Sequence, residues 1–143
     1  MTGDNKMKTL RLLTVILMVS LFVGSASAEY IPFVVNLNSL ERFVSLTLLP
    51  SEGSYATWKV INDLRNELAF TSEELTKLDL QPAANGGVQG NWDAVPEKEI
   101  TFGETTEKMI VDALTELDSN EKLTPEHLSL YQKFVIREEL DEF

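Results

Sequence analysis

The side chains of this chain best able to move protons are a single histidine, His127, and 23 aspartates and glutamates. His127 falls in the first turn of the last predicted helix. It has no second imidazole to share a metal with, and no serine nucleophile motif accompanies it. Two carboxylates could act as an acid and base pair, but they would need to converge in a cleft with their acidities pushed apart. The adjacent Glu73 and Glu74 are better explained by the positive end of a helix dipole, which favours anions in the first turn. The run Asp118-Ser119-Asn120-Glu121-Lys122-Leu123 opens with the D-x-N spacing of a helix-loop-helix calcium loop. It then places Lys122 fifth, Leu123 where the turn glycine belongs, and Ser129 where the bidentate glutamate belongs, so it reads as a helix-connecting turn. Gly86, Gly87 and Gly90 lack a phosphate-loop lysine and the G-x-G-x-x-G spacing, which leaves them as turn glycines. There is no cysteine, hence no thiolate metal site and no disulfide framework. The sequence therefore points to no catalytic residue, no metal ligand and no cofactor.

Binding chemistry has more candidates. Trp58 and Trp92 could stack on a base or a sugar, but Trp58 lies on the apolar face of a predicted helix and belongs to the core. Trp92, Asp93 and Lys98 lie in or beside the loop of a predicted β-hairpin. A projecting loop that carries an aromatic ring can reorganise on a partner at little cost to the core, so these three residues are the candidate contact site. Net charge decides the kind of partner. The whole chain carries −11, and loss of residues 1–28 would remove one acid (Asp4) and three bases (Lys6, Lys8, Arg11), giving −13. Such a surface repels phosphate backbones and anionic lipid, and favours a partner protein with a basic surface. The order strand, helices, hairpin resembles a winged-helix arrangement. Its candidate recognition helix, Ser72 to Asp79, offers one base against three acids, so no direct nucleic-acid binding is expected.

The elements that must position these residues begin with a leader. Lys8 and Arg11 precede an apolar run from Leu12 to Val23, and Gly24-Ser25-Ala26-Ser27-Ala28 ends it with small residues. The run is shorter than the roughly 20 residues that span a bilayer, so it reads as a secretory signal cut between Ala28 and Glu29. Secreted or periplasmic localisation follows. The alternative is a membrane anchor formed by the uncleaved N-terminal helix. Translation from Met7 would give a complete signal without the acidic Asp4.

Beyond the leader, residues 29–143 read as one domain. Phe33 to Leu37, rich in β-branched and aromatic residues after Pro32, predicts an edge strand. Asn38 and Glu41 have the spacing of a capping box before a helix with Leu40, Phe43, Val44, Leu46 and Leu48 as its apolar surface, stopped by Pro50 and Gly53. Ser54 caps a second helix to Leu68 whose buried face is Tyr55, Trp58, Ile61, Leu64 and Leu68. Lys59, Asp63, Arg65 and Glu67 occupy its opposite face. Thr71 and Glu74 predict a capping box for a third helix over 72–78. After the turn-rich 81–87 stretch, Val88 to Trp92 and Glu99 to Phe102 predict a hairpin that joins the first strand in a three-stranded sheet. A fourth helix follows Gly103, with Met109, Ile110, Ala113, Leu114 and Leu117 on one side. A fifth begins with Thr124 as cap and Pro125 at its first position, burying Leu128, Tyr131, Phe134 and Val135. The acidic tail 138–143 is expected to fray. The fold class is α+β, about five helices packed with a two- to three-stranded antiparallel sheet, the signal helix lying outside it.

The runs Leu40-Glu41-Arg42-Phe43-Val44-Ser45-Leu46-Thr47-Leu48-Leu49-Pro50-Ser51-Glu52-Gly53-Ser54 and Lys122-Leu123-Thr124-Pro125-Glu126-His127-Leu128-Ser129-Leu130-Tyr131-Gln132-Lys133-Phe134 resemble a group of short uncharacterised proteins encoded by phages and metagenomic viral contigs. The resemblance covers about 36–135. It implies a helix stop and a helix start, carries no catalytic residues, and does not extend to the N-terminal export signal. The reading that fits all of this is an exported, non-catalytic protein-binding module of phage type. The alternatives are a carboxylate-dependent hydrolase, and an acidic nucleic-acid mimic or winged-helix-like regulator.

Overall fold

The computed structural model describes residues 28–137. The leader and the acidic tail expected from the sequence lie outside the described residues. Residues 28–31 have no regular secondary structure, and a compact unit begins at Pro32. Its elements are β1 (Phe33–Leu37), α1 (Ser39–Leu48), α2 (Tyr55–Leu68), α3 (Ser72–Leu78), β2 (Gln81–Pro82), β3 (Val88–Gln89), a 3-10 turn (Trp92–Ala94), β4 (Lys98–Phe102), α4 (Glu104–Ser119) and α5 (Pro125–Tyr131). A π-helical turn, Gln132–Ile136, continues α5. Among the described residues, five α-helices with two small antiparallel sheets make this an α+β fold.

Local chemistry starts α1 and α3 where the sequence calls for it. Asn38 Oδ1 accepts from the Glu41 amide at 2.8 Å while Glu41 Oε2 accepts from the Asn38 amide at 2.8 Å, a reciprocal capping box that satisfies two otherwise unpaired donors. Thr71 and Glu74 repeat it at the start of α3, at 3.1 and 2.8 Å. At the other end of α4, the Lys122 and Glu121 amides return to the Leu117 and Asp118 carbonyls, with Glu121 in the left-handed region at φ 55°. This is a Schellman stop without glycine.

The main sheet pairs β1 antiparallel with β4, Phe33 opposite Phe102 and Leu37 opposite Lys98. Both strands alternate, so Val35, Leu37, Ile100 and Phe102 turn into the core and Val34, Asn36, Glu99 and Thr101 turn out. Ile61, Leu64 and Leu68 from α2, Ile110 and Leu114 from α4, and Leu130 and Phe134 complete that core. The rings of Phe33, Phe102 and Phe134 meet edge to face at 5.2 and 4.9 Å about Phe134.

Three expectations are corrected. The hairpin over 88–102 does not form: Val88–Gln89 pairs with Gln81–Pro82 instead, which leaves the β1–β4 sheet two-stranded. The Asn91 amide donates to the Leu78 carbonyl at 2.7 Å, and a Cβ at Gly90 would lie 3.0 Å from that same oxygen. Glycine thus lets the chain fold back onto the end of α3 before the 3-10 turn. The stripes also differ. Tyr55 is 87% exposed and Leu128 53% exposed, because each stands in the first turn of its helix, ahead of the packed part. Leu130 is buried in place of Leu128. Finally, α1 buries more than an apolar face. It contacts α2, α4, α5, β1 and the 3-10 turn, and so takes Ser39, Glu41, Arg42 and Ser45 inside along with Val44.

Ser45 is fully buried and, among the described residues, its hydroxyl has no hydrogen-bond partner. A buried hydroxyl left unpaired costs about 1–3 kcal/mol. The Ser45→Ala variant is therefore expected to be more stable by about 1 kcal/mol, read as a higher urea midpoint at unchanged slope.

Candidate functional site

Adjacent charges on α1 are drawn inside, and their partners show what they do. Arg42, fully buried, donates from Nε to the Leu68 carbonyl at 3.2 Å, from Nη2 to the Ala69 carbonyl at 2.5 Å and from Nη1 to Glu74 Oε1 at 2.9 Å. Its guanidinium lies 4.2 Å from the centre of the Phe70 ring. Lys98 Nζ donates to the Glu67 carbonyl at 2.6 Å. Three successive carbonyls at the negative end of α2 are thus taken by cations from two other elements. The Arg42 hydrogen bond holds the Glu74 carboxyl below its ordinary value, outweighing the opposite pull of desolvation. Glu41, 2% exposed, is matched by Lys133 Nζ at 2.8 Å, and that ammonium also reaches the Asn36 carbonyl at 2.8 Å. These groups tie helices together.

The residues expected to form the contact site divide among different tasks. Trp92 is half-buried with its ring 5.3 Å from that of Phe43, and its carbonyl accepts from Ser39 Oγ. Lys98 is occupied at the end of α2, as above. Asp93 is exposed in the 3-10 turn. A hairpin tip carrying all three does not exist, because its first strand has gone to β2.

His127 Nδ1 accepts from the Thr124 amide at 3.0 Å, so the one imidazole acts as the reciprocal half of a cap. The Thr124 hydroxyl holds the Glu126 carboxyl below its ordinary value. Asp118 accepts from the Tyr131 phenol at 2.9 Å, which raises the phenol because ionisation would discard that bond. The calcium-like run is therefore a helix stop tied to α5. Among the described residues, no three of the histidine, aspartate and glutamate side chains gather as a metal would require. No helix among them is long and apolar enough to cross a membrane.

A shallow groove of about 230 Å³ opens between α2 and the corner where β4 passes into α4. Of its lining, Leu64 and Thr106 are buried, Val60 is half-buried, and Thr101, Gly103, Asp63 and Glu67 are exposed, which makes Val60 and Leu64 its apolar floor and Asp63 and Glu67 its rim along α2. The two acids stand one helical turn apart and both are exposed. Among the described residues neither has an ion-pair partner, unlike Glu41 and Glu74. The sequence placed Asp63 and Glu67 correctly on the outward side of α2, but nothing in it placed β4 opposite them. No family model, curated protein or solved structure matches the chain.

Proposed function

We propose that the chain is a non-catalytic binding module for a basic protein surface, exported after loss of residues 1–28 and descended from a phage-type domain. The single observation that supports this reading is the division of labour among its acids. Glu41 and Glu74 are spent on the cations Lys133 and Arg42 and on helix caps, whereas Asp63 and Glu67 flank an open groove on a chain of net charge −11. A groove with an apolar floor and an anionic rim suits a lysine or arginine, whose alkyl stem covers Val60 and Leu64 while its head meets the carboxylates. A hydrolase would need a carboxyl kept protonated by burial, and both rim acids are exposed.

The test is a titration with a labelled, end-capped octa-arginine peptide. The Asp63→Asn/Glu67→Gln variant is expected to bind about fivefold more weakly than a charge-matched Glu104→Gln/Glu116→Gln control, and all forms to weaken as salt rises. Equal loss in both variants would remove the groove from the reading. Intact mass of the exported product, beginning at Glu29, checks the leader.

A further inference from the structure

The two outer edges of the β1–β4 sheet are not equivalent. On the β1 side, Pro32 precedes the strand and Lys133 places its ammonium on the Asn36 carbonyl at 2.8 Å, a charged guard of the kind that blunts an edge. That bond also sets the phase of the ladder. Because the Asn36 carbonyl is directed away from β4, the pair Asn36 with Glu99 and, two residues along, Val34 with Thr101 are those whose backbone groups face outward. On the β4 side the outward groups therefore belong to Glu99 and Thr101. Among the described residues no third strand covers them, and Thr101 opens onto the groove whose rim carries Asp63 and Glu67.

We propose that this slot receives an extended, basic segment of a partner protein, which adds to the outer edge of β4 beside Thr101 and sets a lysine or arginine between Asp63 and Glu67. Strand addition draws affinity from backbone hydrogen bonds and specificity from alternate side chains. Here the alternate side chains on one face of the incoming strand meet α2. Charge selects the occupant. A second copy of this chain, also at −11, would be repelled, whereas a basic segment is attracted. The proposal deepens the basic-partner reading and rests on it.

The experiment separates the two. A labelled, end-capped hexapeptide alternating arginine and valine is titrated against the full chain, beside two versions N-methylated at every second amide, one in each phase. Methylation keeps the charge and blocks edge pairing in one phase only. One methylated peptide is expected to bind at least about tenfold more weakly than the parent, the other nearly as well. Thr101→Pro, which deletes an outward amide that an edge strand can spare, is expected to weaken the parent peptide about fivefold at an unchanged unfolding midpoint. If all three peptides bind alike, strand addition is overturned and the basic-partner reading stands. If none binds at low salt, both fall.

Discussion

Replacing Arg42 by methionine is expected to cost about 3–5 kcal/mol, the range for removing one partner of a buried charge pair. Methionine restores much of the volume, so the loss isolates the guanidinium. It would strand the Leu68 and Ala69 carbonyls and the Glu74 carboxylate at one stroke. Urea unfolding of the two proteins measures it. The same variant carries a signature in acid. The Glu74 carboxyl lies below its reference value of 4.5 in the folded chain. Its contribution is thus complete above that value and is lost as pH falls through the lower, folded one. Arg42→Met is expected to flatten this acid limb. An unchanged limb would mean that Glu74 draws its stability from the Thr71 cap alone.

Phe134→Ala is expected to cost a similar amount, about 3–5 kcal/mol for an aromatic removed from a packed core. Phe134 is 1% exposed and stands edge to face with both Phe33 and Phe102. It is a point at which the π-helical turn meets both strands of the sheet. Phe134→Leu should recover more than half of the loss, because shape is the missing quantity. Thermal unfolding of the three forms gives the ranking. A loss under about 1 kcal/mol for alanine would show that the last turn is not part of the cooperative unit.

How much of this was legible in the sequence depends on whether the signal was local. Asn38 with Glu41, Ser54, Thr71 with Glu74, and Thr124 before Pro125 start their helices where they stand in the chain, because a cap needs only the next three residues. The inward and outward alternation of Ile100 and Thr101 was readable for the same reason. The partner of Val88 was not. The sequence offered Val88–Gln89 the strand 99–102 as its mate, whereas Gly90 and the Asn91 bond to Leu78, a contact between elements, bring it to Gln81–Pro82. The buried charges of α1 were hidden likewise: a helix packed on several sides has no polar face to betray it. The groove is the extreme case, since Asp63 and Thr101 come together only through the whole topology.

The ion pair that completes the burial of Glu41 joins residues 92 positions apart in the chain. A growing polypeptide emerging from a ribosome exposes that acid long before its counter-ion is made, so α1 has no final resting place until Lys133 is synthesised. Folding of this body is therefore a late event. Its strands and helices become a single object only after Lys133 has been added.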